Sequence, residues 1–301
     1  MGLATPIDRM DAIGSLEASV YNRVQAVCNF VNAEIARLRH QTIAIGIACV
    51  IGAAVLWYVT GSGHVALVVA AGAFALCVVR ARAELTSSFS NIAAKRIVHA
   101  IAQQLAYRSQ SSLSREQFNS LDLFAGKCAK FASHDEITGR VRGVRYSVHQ
   151  VQARRGDRSM MFDGAIIRIE YPANFPGHTV VVPDHDGQLL GAMNGGSRRK
   201  KDLVMVKNPS FERLFSVYST DYYEARRLLT PELMKLVIEG KAALGADMRL
   251  CFVHRSLFVA VAEPAAPYHA TLFAQPLTPP VALGKLVHLI AFAERIAAQQ
   301  S

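Results

Sequence analysis

Nineteen consecutive residues without a charge, Thr42 to Thr60 ("TIAIGIACVIGAAVLWYVT"), constrain this chain more than any other feature. As a helix rising 1.5 Å per residue they cover roughly the 30 Å hydrocarbon core of a bilayer. Gly61-Ser62-Gly63-His64 is a short breaker, and Val65 to Val79 is a second uncharged run closed by Arg80. That run has 15 residues. It crosses a bilayer if Arg80 and Arg82 snorkel and His64 sits at the far interface. Small residues at four-residue spacing (Ala48 and Gly52, Ala66 and Ala70, Ala71 and Ala75) are the kind that let two helices approach closely in lipid. Trp57 and Tyr58 fall at the loop end, where amphipathic rings prefer the headgroup level. Arg37 and Arg39 lie before the pair, and Arg80, Arg82, Lys95 and Arg96 after it, while the loop has no Lys or Arg. The positive-inside rule then predicts a bacterial inner-membrane hairpin with both termini cytosolic. A buried hairpin of a soluble protein and a re-entrant second helix are the competing readings.

The expected organisation is an amphipathic cytosolic helix over 1–41, a transmembrane hairpin over 42–80 (helices 42–60 and 64–80), and a cytosolic α+β domain over 81–301. The first apolar run begins near residue 42, too deep for a cleavable signal peptide. In the first segment Leu16, Val20, Val24, Val27, Val31, Ile35 and Leu38 recur at spacings of four and three. This is a coiled-coil-like seam. It packs either on the chain's own cytosolic domain or, as a homo-oligomer contact, on a second copy.

Lys and Arg number 33 against 23 acids, a formal charge of +10. The first 40 residues balance, so the excess lies from Arg80 onward. A basic domain tied to a bilayer suggests anionic lipid or an acidic protein partner. Cys28, Cys49, Cys77, Cys128 and Cys251 show no paired spacing, which suits a reducing compartment. Cys128 and Cys251 read as lone thiols.

Residues 84 to 109 read as a helix with Ile97, Ile101 and Leu105 in one stripe. From Ile137 the period changes to two. Ile137, Gly139 and Val141, then Val144, Tyr146 and Val148, alternate with polar residues that include Ser147 and His149. Ala165 to Tyr171 and "HTVVVP" from His178 continue the pattern. This predicts a largely antiparallel sheet with one face buried. A helical insert follows. Asp221 with Glu224 is a capping-box pattern, Thr230-Pro231 opens a second helix and Gly245 stops it. Met248 to Val253 and Leu257 to Val261 read as a hairpin around His254-Arg255-Ser256. After Thr278-Pro279-Pro280 a C-terminal helix carries Leu283, Leu286, Val287, Ile290 and Ala293 on one face.

The block "VKNPSFERLFSVYSTDYYEARRLLTPELMKLV", residues 206 to 237, resembles the core signature of the bacterial family catalogued as domain of unknown function 3137. "HDEITGRVRGVRYSVHQVQA", "HTVVVPDHDG" and the twin apolar segment stand in the expected order, so the resemblance spans most of residues 40 to 300. It implies a bacterial membrane protein with a cytosolic α+β domain. It supplies no activity, cofactor or catalytic residue. His254-Arg255 at the hairpin turn and the basic loop Ser197 to Lys201 depart from the family pattern.

The densest metal-like cluster is His178 with Asp184, His185 and Asp186, two imidazoles and two carboxylates within nine residues. A strand running into a polar turn after Pro183 explains the same residues. His134-Asp135-Glu136 reads as a cap or strand-entry turn, since neighbours on a strand point to opposite faces. The glycines of "GQLLGAMNGGSRRKK" form neither a P-loop nor a dinucleotide fingerprint. They read as a solvated loop ending in Arg198, Arg199, Lys200 and Lys201. With Arg154, Arg155 and Arg158 these cations form a candidate lipid- or partner-facing surface. No aromatics are interleaved for stacking, so nucleic-acid binding is not expected. Arg155-Gly156-Asp157 has no adhesion partner in the cytosol. The preferred reading is a non-catalytic, membrane-tethered module binding a protein or small ligand. The alternative is a membrane-anchored metal-dependent hydrolase or nucleotide-binding enzyme built on the His178 cluster. A transport or gating role finds no intramembrane charge to carry an ion path.

Overall fold

The computed structural model describes residues 6–61, 63–84, 95, 96, 98, 99, 102, 104–184, 202–262 and 279–299. It divides into two compact units, Met1–Ile101 with Pro267–Gly284, and Ala102–Ala266 with Lys285–Ser301. Expectations resting on His185, Asp186 and the basic loop Arg198, Arg199, Lys200 and Lys201 lie outside the described residues.

In the first unit α1 (Pro6–Thr60) is one continuous helix and α2 (Gly63–Glu84) follows it. The chain breaks at Gly61, whose φ of 65° is left-handed and suits a residue without a Cβ. Among the described residues one helix is long and apolar enough to cross a membrane, over Asn22–Val59 of α1. The close approach expected at Gly52 is absent, since a Cβ there would meet nothing within 4 Å. It is Gly46 that lies against α2, where a Cβ would stand 3.0 Å from the ring of Phe74. Of the N-terminal seam, Val24 and Val31 are buried within the single chain together with Cys28. The Arg96 guanidinium stacks 4.5 Å above the Phe30 ring.

The second unit is a mostly antiparallel sheet with helices, an α+β arrangement. Its strands are β1 (Ala106–Gln110), β2 (Lys130–Val141), β3 (Val144–Arg154), β4 (Met160–Pro183), β5 (Asp202–Leu203), β6 (Phe215–Ser219) and β7 (Met248–Ala262). The order is β1-β2-β3-β4-β6-β5, with β7 also paired to β4. Residues 106–110, expected to end a helix, form edge strand β1 against β2. The apolar stripe ends at buried Leu105, after which Tyr107 pairs with Ile137 and the sheet overrides helical period.

β4 carries 24 residues because two expected strands join through Tyr171–Gly177. β7 pairs along it from Gly164↔Ala262 to Val181↔Leu250, with register shifts between Glu170, Phe175 and Thr179. Pro172 and Pro176 have no N–H to give a ladder, which accounts for irregular pairing at that stretch. An extended β7 would span about 50 Å. Its ends instead meet, with Ala262 N–H donating to Asp247 O at 2.9 Å. The ribbon therefore doubles back near His254, whose φ is 55°, and β4 wraps the outside of the same bend. The expected hairpin is thus the inner half of a pair of nested bends.

Helices are placed by their caps. Thr230 Oγ1 accepts from Leu233 N–H (3.2 Å) to open α6 (Pro231–Leu244), and Gly245 closes it with φ 60°. Asn208 opens the short α4 (Pro209–Glu212), its Oδ1 accepting from Phe211 N–H, and Asp221 caps α5 (Tyr222–Leu228) by accepting from Glu224 N–H. The C-terminal helix α7 (Pro279–Gln299) buries Leu286, Ile290 and Ala293 as the periodicity predicts, with Val287 half-buried; it also buries Leu289, Phe292, Ile296 and Ala297. The Phe292 ring sits where a Cβ on Gly240 of α6 would be, and Arg295 reaches Glu239 at 2.6 Å. The side chains of Leu283 and of the α1 seam residues Leu16 and Val20 lie outside the described set.

Both faces of the sheet are buried, not one. On the second face α3 (Arg115–Ser120), opened by a Ser114/Gln117 capping box, and the segment after it lay Phe118, Leu121, Leu123 and Phe124 onto Val151, Phe162, Ile166, Val180, Cys251 and Phe258. A face that reads as solvent-facing by alternation is thereby closed by residues outside the strands.

Candidate functional site

Strand alternation carries Ser147 and His149 to the same face as core residue Val151. There they continue the apolar layer as a polar row. Ser147 pairs with Arg168 across β3 and β4, and Glu170 with Ser256 across β4 and β7. Arg168 Nε donates to Ser256 Oγ at 3.1 Å, its Nη2 lies 3.8 Å from Glu170, and its guanidinium stands 5.8 Å over the Phe258 ring.

His149 is 1% exposed. Its Nδ1 lies 2.8 Å from Ser111 Oγ and its Nε2 lies 2.8 Å from Ser147 Oγ. Ser111 Oγ already accepts from Leu113 N–H (3.1 Å). The simplest assignment has Ser111 donating to Nδ1 and Nε2–H donating to Ser147. Burial pushes the imidazole down to about 4, with Glu136 opposing and Arg168 reinforcing the shift. At neutral pH the ring is uncharged and bracketed by two hydroxyls. The ring thus ties β3 to the segment that follows β1.

Glu136 enters this row through a bulge. The β2–β3 register shifts between His134 and Ile137, and Asp135 takes φ 54°. Both acids become buried, Asp135 at 3% and Glu136 at 2% exposure. Glu136 Oε2 accepts from Ser112 N–H (2.8 Å). Asp135 accepts from Tyr107 Oη and lies 3.0 Å from His134 Nδ1. The His134-Asp135-Glu136 run is therefore inside a strand, not a turn before it. The alternation argument fails there because a bulge adds a residue.

His178 is buried at 2% exposure under the α3 layer. Its Nε2 lies 3.2 Å from Leu121 O and 3.1 Å from Cys251 Sγ, and its Nδ1 lies 3.9 Å from Asp122. Cys251, which reads as a lone thiol, thus has an imidazole neighbour 73 residues away in sequence. Strand pairing explains it, since Cys251 opposes Val180 and His178 is the diagonal neighbour on that face. Asp184 is exposed past the end of the strand and accepts from Ser216 Oγ at 2.8 Å. Six extended residues place it about 20 Å from His178, so the two do not meet. Among the described residues no group of three or more His, Cys, Asp or Glu stands together in a metal-binding arrangement.

Of the basic residues, Arg154 and Arg158 are exposed and Arg155 is half-buried at the β3–β4 turn. Asp157 folds that turn by accepting from Ser159 N–H (2.9 Å) and Oγ (2.7 Å), which hold its carboxyl below the usual range. Arg155 N–H and Ser159 O close it at 3.0 Å.

Residues 160–297 match the model of a family described as "Protein of unknown function (DUF3137)". The match bears out the resemblance carried by residues 206 to 237. No curated protein matches. Among solved structures, the mycobacterial trehalose monomycolate transport factor A aligns at 10% identity over 68% of this chain and 92% of that one, with a TM-score of 0.36.

Proposed function

We propose that this chain is a bacterial inner-membrane protein held by α1 and α2 as a two-helix transmembrane hairpin, with both termini cytosolic. Its second unit is a non-catalytic module that binds a protein or small ligand beside the membrane. One observation carries the anchoring. Ile43, Ile47, Val50, Ile51, Val55, Trp57, Tyr58 and Val59 of α1, and Val68, Val69, Leu76 and Val79 of α2, are all exposed. Their positions run round the helix circumference. Water would penalise that surface, whereas acyl chains accept it. Arg37 and Arg39 on one side and the cations after α2 on the other give the orientation.

The non-catalytic reading is supported by how the buried polar groups are used. His149, Glu136, Asp135 and His178 each serve hydrogen bonds that join one segment of the sheet unit to another. Function has to be argued from a site, and these groups act as ties. A reporter fused after Ser301 tests the topology, and activity on the far side of the membrane would overturn it. Native mass spectrometry of the detergent-extracted full chain tests the module. A stoichiometric protein or a second copy supports binding. A metal- or nucleotide-sized mass lost in His178→Ala would instead favour an enzyme.

A further inference from the structure

The second unit presents one corner where aromatic and cationic side chains face water together. Tyr223 is 84% exposed, and its ring meets that of Tyr222 edge-on at a centroid distance of 5.6 Å. Arg226 reaches over the Tyr222 ring at 5.8 Å, and Arg227 beside it is exposed. Both tyrosines open α5 directly after β6, whose last residue Ser219 pairs with Asp202 of edge strand β5. Leu203 and Met205, exposed at 56% and 55%, run back along β6 from there, away from α5. Most other large apolar side chains of this unit are buried, so leaving these in water needs a reason.

We infer that this corner is a docking surface for the anionic headgroup layer of the membrane, with Tyr222 and Tyr223 entering the interface and Arg226 and Arg227 meeting lipid phosphates. The inference rests on the membrane-tethered reading above. Three observations favour a bilayer as the occupant. Tyrosine is apolar along its ring and polar at its tip, which suits the headgroup boundary. The acids of α5 and its cap face away from lipid: Glu224 is buried, accepting from Gly177 N–H, and half-buried Asp221 caps the helix. Asp202 is the exposed acid at the corner. The chain carries its excess positive charge on this side of the apolar runs, and the sheet begins at Ala106, 22 residues after α2 ends at Glu84 (106 − 84). So small a separation in sequence raises the effective concentration of a leaflet before the surface, so modest contacts suffice.

Trp57, the single tryptophan, makes the test internally controlled. The full chain is placed in nanodiscs of phosphatidylcholine, or of an equal mixture with phosphatidylglycerol, with acyl chains brominated near the headgroup. Native Trp57 reports whether the anchor is in the bilayer. A Trp57→Phe, Tyr223→Trp double variant reports the corner. Residue 223 is exposed enough that the change leaves packing intact. The expected result is quenching of both reporters, the second only with phosphatidylglycerol. Arg226→Glu with Arg227→Glu should weaken docking on phosphatidylglycerol by about fivefold or more per arginine reversed, read as lost quenching at 223. Quenching of Trp57 without quenching at 223 overturns the docking surface and leaves the anchor standing. Equal quenching at 223 on neutral lipid overturns the anionic specificity. Protection of 223 by a co-purified protein, with no effect of lipid, assigns the corner to a protein. Failure of Trp57 to be quenched brings down the anchor itself and the docking surface with it.

Discussion

Gly177 N–H donates to Glu224 Oε2 at 2.7 Å, and a Cβ on residue 177 would overlap that same oxygen. The carboxylate that a capping box would return to its own helix is therefore spent across the chain, fastening α5 to the bend of β4. Asp221 alone supplies the cap.

Gly177→Ala should drive the Glu224 carboxylate away and loosen α5. The expected cost is about 1–3 kcal/mol, read by urea unfolding of the full chain in detergent. Glu224→Ala in the same background should make the glycine change nearly neutral. A full additive loss would show that the two sites are not coupled.

Burial pushes the Glu224 carboxyl above the usual range, against the pull of the Gly177 hydrogen bond, and Oε1 has no partner. A carboxyl whose folded pKa is raised contributes most below its unfolded value near 4.3 and loses that contribution as pH rises. Glu224→Gln should therefore flatten the decline in stability as pH rises above about 4. Melting temperatures across that range decide it, and parallel curves for the two proteins would rule it out.

His149 runs in the opposite direction. Its folded pKa of about 4 lies below the ordinary value near 6.5, so its contribution is complete above the latter and is lost as pH falls through the former. Nuclear magnetic resonance of the ring should show a titration near 4. Ser111→Ala and Ser147→Ala each strand one ring nitrogen and should cost about 1–3 kcal/mol at neutral pH. An ordinary titration midpoint would mean that the ring is open to water.

Gly139 opposes Tyr146, and a Cβ at 139 would stand 2.7 Å from Cε1 of that ring. The missing side chain lets the ring cross β2 so that Oη can donate to Glu294 of α7 at 2.7 Å. Gly139→Val should cost about 1–3 kcal/mol and raise amide exchange in α7. Exchange confined to β2 would show that the tyrosine is not what links them.

Cys128 and Cys251 are buried in the second unit, so in pulse alkylation they should react only when that unit unfolds. Labelling of Cys251 ahead of unfolding would show that the α3 layer opens by itself.

Much of this was legible in the residues. A long uncharged run reads as helix by itself, and α1 and α2 follow it; caps such as Thr230-Pro231 and Gly245 are local chemistry. The polar row was not legible. Ser147 and His149 alternate with Tyr146 and Val148 as a solvent-facing set would, and nothing within β3 reveals that Ser111, ahead of α3, closes on the imidazole. Cys251 and His178 meet through register, which a single strand does not encode. At Asp135 a single left-handed residue turns two adjacent acids inward, and that φ has no signature in an Asp flanked by His and Glu. The strand at 106–110 is hidden in the sequence because Leu105 completes a helical stripe just where the sheet takes over.

The nested bends of β4 and β7 also impose an order in time. Gly164 and Ala262 are 98 residues apart (262 − 164), and even Val181 and Leu250 are separated by 69 (250 − 181). On a ribosome adding about 5–20 residues per second, β4 therefore emerges many seconds before the strand it must enclose. During that interval its apolar Ala165–Ile169 and Val180–Val182 stretches have β3 and then β6 for partners but an open edge on the other side. Such an edge invites pairing with another chain. The last strand to be made completes the interior of the sheet, so a translational pause or truncation before Met248 leaves a half-built ribbon with a ready template for aggregation.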